Sequence, residues 1–180
     1  MGHAMQKPNE IKDLDIPLER DEFCRTIIRE LSGLLEDMVG LEEASGFISI
    51  VGQNIGNFID TEYKNALKVA DLSKEQITQV LVDLKEKING EFFIKEMSDS
   101  KVVFGNTQCP FEDKVKDRTS LCMMTSNVFG TIASNNHGYA KIELKETIAR
   151  GDSGCTVVVY FEANDESRAA DGIEYVKTGV

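Results

Sequence analysis

The chain has 180 residues, the size of one ordinary domain. Its 20 Lys and Arg against 31 Asp and Glu leave a formal charge of −11, which argues against a phosphate-binding surface of clustered cations and disfavours an anionic membrane face. With 41% hydrophobic residues, the composition is that of a chain with a real core.

Met1 to Arg20 mixes charges with Pro8 and Pro17 and has no apolar stretch of the signal-peptide kind. Gly2-His3-Ala4-Met5 reads as a cloning remnant, and residues 1–17 as a flexible lead-in. No segment approaches the roughly 18 apolar residues of a membrane span. Four cysteines without a secretion signal read as reduced thiols of a cytoplasmic protein.

A first helix is expected from Leu18 or Asp21 to about Val39, with Phe23, Ile27, Ile28, Leu31, Leu34, Leu35 and Met38 at helical spacing. Gly40 stops it. A second helix runs from about Leu41 to Leu67, with Phe47, Ile48, Val51, Ile55, Phe58, Ile59 and Tyr63 as its stripe. Gly52 and Gly56, four apart, predict a close backbone crossing with the first helix or with a second subunit. Ser73 and Gln76 form a capping-box pattern ahead of a third helix whose stripe is Ile77, Val80, Leu81, Leu84 and Ile88.

The period then changes. Phe92 to Ile94 and Val102 to Phe104, joined through Ser98-Asp99-Ser100, read as a hairpin. A loop from Gly105 to Thr119 follows, and Thr119 or Ser120 is placed to cap a fourth helix. That helix carries Cys122, Val128, Phe129 and Ile132 and ends near His137-Gly138. Strands at Tyr139–Ile148 and Thr156–Phe161 flank the turn Gly151-Asp152-Ser153-Gly154. From Glu162 the chain turns acidic, so residues 163–180 read as a flexible acidic tail and residues 18–162 as a single globular domain. The fold class expected is α+β, with the N-terminal helices packed on one face of an antiparallel sheet built from two hairpins with an intervening helix.

The P-loop, the dinucleotide fingerprint, H-E-x-x-H and G-x-S-x-G are all absent from the sequence. His3 lies in the cloning remnant, and His137 sits in a turn where solvent exposure is the ordinary state. Glu42, Glu43, Glu143 and Glu146 show no acid–base pairing. Glu146 shares parity with Leu144 and Ile148, so a regular strand turns it to the apolar face and a bulge leaves it in water. Met123 and Met124 read as gap-filling core or as the lining of a soft pocket.

The cysteines form no C-x-x-C. Cys109 follows a strand, Cys122 opens a helix and Cys155 follows a tight turn, so one sheet edge can gather all three. A helix N-terminus favours a thiolate, and thiolates there hold zinc or an iron–sulfur cluster. The plain alternative is three small buried hydrophobes. Cys24 reads as core or partly exposed.

Cys109-Pro110-Phe111 with Leu121-Cys122-Met123-Met124-Thr125-Ser126-Asn127-Val128-Phe129-Gly130, Gly138-Tyr139-Ala140-Lys141 through Glu146-Thr147-Ile148-Ala149-Arg150-Gly151-Asp152 to Gly154-Cys155, and Leu41 to Gly56 together resemble the methanogen output domain family. The closing hairpin is also similar to the 4-vinyl-reductase-type domains that bind small molecules. The resemblance covers about residues 18–162 and implies a signalling module in which Cys109, Cys122 and Cys155 bind a metal, an iron–sulfur cluster, zinc or a small ligand. An output role then works through self-association as a homodimer or through signalling partner proteins. Two rival readings stand beside it. One is an enzyme with a Cys122 nucleophile, and the other a plain interaction module with inert cysteines.

Overall fold

The computed structural model describes residues 15–16 and 19–177, so the expected lead-in of residues 1–17 lies almost wholly outside the described residues. Helix α1 (Arg20–Val39) ends at Gly40, whose φ of 85° suits glycine alone. Helix α2 (Leu41–Leu67) begins immediately. Helix α3 (Lys74–Glu86) starts with the expected capping box: Ser73 Oγ accepts from the Gln76 N–H, and Gln76 reaches back to the Ser73 N–H.

Strands β1 (Phe93–Met97) and β2 (Lys101–Asn106) form the first hairpin. Short 3₁₀ turns at Glu112–Val115 and Thr119–Leu121 lead into α4 (Cys122–His137). Strands β3 (Tyr139–Glu146) and β4 (Cys155–Tyr160) form the second hairpin, around a 3₁₀ turn at Ile148–Arg150. Then come α5 (Asp165–Ala169) and β5 (Gly172–Val176). The sheet is antiparallel throughout, in the order β1-β2-β4-β3-β5.

The architecture is α+β, as the sequence predicts. The inner sheet face, including Val102, Phe104, Ile142, Val157 and Val159, packs against Ile77, Leu81 and Leu84 of α3 and Phe129 and Ile132 of α4. Phe129 meets Phe92 and Phe104 edge-on, with ring centroids 5.6 and 5.7 Å apart. Helix α2 lies over α4 on the side away from the sheet.

Three expectations need correction. The glycine pair does not cross α1. A Cβ on Gly52 would stand 2.7 Å from the Cβ of Asn127, and one on Gly56 2.8 Å from that of Thr131, so the close partner is α4. No side chain caps α4, because the 3₁₀ turn at Thr119–Leu121 already supplies helical backbone; Ser120 instead donates to Glu36 of α1. The segment expected as an acidic tail carries α5 and β5 as far as residue 177. Tyr175 of β5 is buried against Gly130 of α4, and its hydroxyl lies 3.0 Å from Ser126 Oγ.

The apolar stripe of α1 is not covered within the described residues. Leu34 is 58% exposed and Met38 72%, and Phe58 on α2 is 65% exposed.

Candidate functional site

One apolar cavity lies between the inner sheet face, the end of α3, the start of α4 and the loop after β2. Its walls include Lys85, Phe92, Asn106, Cys109, Phe111, Leu121, Cys122, Thr125, Leu144, Thr147, Ala149, Cys155 and Val157. The three cysteines that the sequence singles out therefore border one space. Cys24 is exposed on α1.

Local structure explains the convergence. Cys122 is the first residue of α4, and Cys155 is the first of β4. Asn106 ends β2 opposite Cys155. Its side-chain oxygen accepts from the Cys155 N–H at 2.9 Å, and its amide nitrogen donates to the carbonyls of Gly90 and Gln108 at 3.2 and 2.8 Å. One buried asparagine thus holds together the strand, the loop that carries Cys109 and the start of β4. A Cβ on Gly154 would meet the Asn106 carbonyl oxygen at 2.4 Å, so only glycine lets the turn close there.

The ladder register shifts between Leu144 and Glu146. The extra residue reverses the alternation, so Glu146 is exposed while Thr147 is only 4% exposed and lines the cavity. Glu146 accepts from Thr156 Oγ1. The Thr147 N–H donates to Asp152 Oδ2 at 2.7 Å and closes the turn. Its hydroxyl lies against the Cys122 thiol without a well-formed hydrogen bond.

Lys85 is the residue that sequence reasoning missed. It is 5% exposed. Its Nζ donates to Thr125 Oγ1 at 2.8 Å and stands 5.0 and 5.4 Å from the ring centroids of Phe92 and Phe129. Burial pulls its pKa down to about 8, and the three neighbouring cysteines offset this only where they ionise. A signal was present: Lys85 follows Ile77 and Leu81 at steps of four, on the apolar face of α3.

The thiols are not the thiolates expected at a helix N-terminus. Burial pushes Cys122 up to about 12 and raises Cys109 and Cys155. The low-pKa nucleophile that an enzymatic reading needs is therefore not found at Cys122. Among the described residues, no group of three His, Cys, Asp or Glu is spaced to hold a metal ion. His137 is exposed, with its ring edge-on to Phe161. Met123 and Met124 pack with Ile48, Val115 and Leu121 instead of lining the cavity.

About 30 Å³ of the cavity is open to the centre of a water-sized sphere, room for roughly two waters. A surface cleft of about 310 Å³ on the same measure shares Cys109 and Ile148 with it. These two side chains stand between the cavity and solvent.

The cover, residues 109–118, is tied to α1. Arg29 donates to the carbonyls of Lys114 and Lys116 at 2.5 and 2.8 Å. Arg25 pairs with Glu112, and Glu22 with Lys114, each at 2.8 Å. Glu112 and Asp117 hold φ values of 49° and 58°, which non-glycine residues adopt only at a cost of about 1 kcal/mol each.

The sequence model of methanogen output domain 1 matches residues 27–160. No curated protein matches the sequence. Among solved structures, the phenol-responsive sensory domain of the transcription activator PoxR, determined with phenol, superposes with a TM-score of 0.62 at 14% identity, covering 86% of this chain and 81% of that one. A trafficking protein particle complex subunit 3 from Naegleria fowleri, covalently bound to palmitic acid, superposes with a TM-score of 0.58 at 11% identity, covering 88% and 98%. At these identities the likeness is one of fold.

Proposed function

Since the chain belongs to the methanogen output domain 1 family, with a sensory and regulatory role, we propose that its input site is the cavity bordered by Cys109, Cys122 and Cys155 and that the occupant is a small molecule. The observation that carries this reading is the cavity itself. Three thiols and a buried ammonium meet in an otherwise apolar space beside a surface cleft, the usual composition of a small-molecule site. PoxR's sensory domain, of the same fold, was determined with phenol, and the trafficking subunit with palmitic acid.

Filling so small a cavity moves its cover, residues 109–118. The cover's bonds to Arg25, Arg29 and Glu22 pass that movement to α1. Helices α1 and α2 carry an exposed apolar face that includes Phe23, Leu31, Leu34, Phe47, Ile50 and Phe58. Large apolar side chains exposed together on neighbouring helices are the mark of an interaction surface. A second copy of the chain covers it in the homodimer we propose, and ligand occupancy biases that association or a partner's docking on it. The protein acts in the cytoplasm, where its thiols stay reduced.

A metal-sensing form of the reading rests on the donor set. Three sulfurs on one cavity suit zinc or iron as thiolates, and the metal would have to displace their protons and draw them closer together.

The test is native mass spectrometry of protein purified without oxygen, with metal and acid-labile sulfide measured on the same sample. A bound non-protein mass without metal supports the small-molecule site. Stoichiometric zinc, or iron with sulfide, lost in Cys122→Ser, moves the occupant to the metal class. A bare, metal-free chain with unreactive thiols leaves a plain interaction module.

A further inference from the structure

Lys85 has a ligand-shaped deficit. It is almost fully buried, yet among the described residues its one hydrogen-bond partner is the neutral Thr125 hydroxyl. Among the described residues no carboxylate lies within ion-pair distance, and the titratable groups that act on it are three thiols, which carry no charge near neutral pH. A buried ammonium without a counter-charge is costly, and folds retain one where something else supplies the charge. A second, independent observation comes from another residue that lines the cavity: among the described residues, the buried Thr147 hydroxyl makes no well-formed hydrogen bond and has only the Cys122 thiol against it. An ammonium and an under-satisfied hydroxyl, both from residues lining one space with Phe92, Leu144 and Val157, make an anion-and-apolar-tail site.

We infer that the occupant is a short-chain carboxylate, its carboxylate held by Lys85 and Thr147 and its apolar end against Phe92, Leu144 and Val157. The inference rests on the cavity being the input site. The cavity's size sets the class, because acetate and propionate need only a small displacement of the Cys109–Ile148 wall. The cysteines then act as neutral, polarisable walls. The titratable groups that face Lys85 are Cys109 from the cover, Cys122 from α4 and Cys155 from β4; all three are raised and stay protonated near neutral pH. Binding therefore depends on the Lys85 proton and fades as pH rises above about 8.

The experiment uses the full reduced chain. Thermal unfolding is followed with acetate or propionate, with their neutral amides, and with chloride at matched ionic strength. In parallel, lysine side chains labelled with ¹³C at Cε report the Lys85 titration by NMR. The carboxylates are expected to raise Tm with concentration, while amides and chloride do not. Propionate should raise the Lys85 titration midpoint in the wild-type chain, a readout that needs no variant. Lys85→Met should weaken carboxylate binding by roughly tenfold or more, the size of one charge-assisted hydrogen bond.

Equal binding of acids and amides, unaltered in Lys85→Met but lost in the cavity-filling Ala149→Leu, overturns the carboxylate inference and leaves the cavity as the input site. Binding that survives Ala149→Leu overturns the cavity reading as well. No change in Tm or in the Lys85 signal with any carboxylate means the cavity holds water only, and the inference fails.

Discussion

Lys85 occupies a position where the α3 stripe calls for an apolar residue, four after Leu81 and eight after Ile77. Its effect on stability has a definite sign. Below about pH 8 the lysine is protonated in both the folded and unfolded chain, and the folded state bears the full cost of the buried charge. Between about 8 and its ordinary 10.5 the folded chain releases that proton while the unfolded chain keeps it. The unfolded state then binds more protons, so this contribution to stability rises with pH. A fall from 10.5 to about 8 corresponds to roughly 3 kcal/mol. Denaturant titrations of the ligand-free protein should find Lys85→Met more stable than wild type at pH 7, with the gap narrowing as pH rises from 8 to 10.5. A gap that does not change with pH would mean that Lys85 is hydrated. The thiols work in the opposite direction. Raised in the fold, they stay protonated where the unfolded cysteines ionise, so their contribution is lost above about pH 9. The three cysteines were legible in the sequence because Cys122 and Cys155 each open an element and Cys109 lies in the loop just after one. Lys85 and Thr147 were not. One is masked by a charge that usually marks a solvated face, and the other reaches the cavity only through a bulge that alternation does not show.

Among the elements, the helices follow their sequence patterns closely: α2 spans Leu41–Leu67 as periodicity predicts, and α3 opens on its capping box. Helical period, caps and glycine stops are local signals. The partner of a glycine is not local. Gly52 and Gly56 are legible as a close crossing, but that α4 makes it depends on tertiary packing. Gly56→Ala should destabilise by about 1–3 kcal/mol through overpacking on Thr131. Gly46→Ala, on the same helix with nothing within 4 Å, should stabilise by about 0.5–1 kcal/mol from helix entropy alone. Urea denaturation of the two variants checks the opposite signs, and the same sign for both would remove α4 as the close partner. Strand β5 was hidden by its acidic surroundings, since five residues offer only one strongly buried side chain, Tyr175. Tyr175→Ala should cost about 3 kcal/mol or more, which unfolding midpoints will report; a cost below about 1 kcal/mol would show β5 to be a loosely held edge.

At the scale of the whole molecule, the cavity, its cover and the outer helices form one mechanical chain. In the proposed switch, a ligand of a few heavy atoms would displace the cover around Cys109; the cover is bonded to α1 through Arg25 and Arg29, and α1 and α2 both expose apolar side chains. That face was legible as a stripe, but its exposure was not, because periodicity reports that a helix has an apolar side and not what covers it. If the proposed homodimer forms through this face, wild type should sediment as a dimer at equilibrium and Leu34→Glu with Phe58→Glu as a monomer, with the helix content unchanged. A wild-type monomer at high concentration would assign the face to another protein. Arg29→Ala should leave ligand affinity within a few-fold and uncouple it from association, seen as equal dimer constants with and without ligand. The most direct measurement is a ¹H–¹⁵N chemical-shift titration of the reduced chain with propionate. The account predicts saturable shifts centred on Lys85, Asn106, Thr125, Thr147 and Cys155, spreading into residues 109–118. Saturable shifts confined to the α1–α2 face, or no saturable shifts at all, would contradict it.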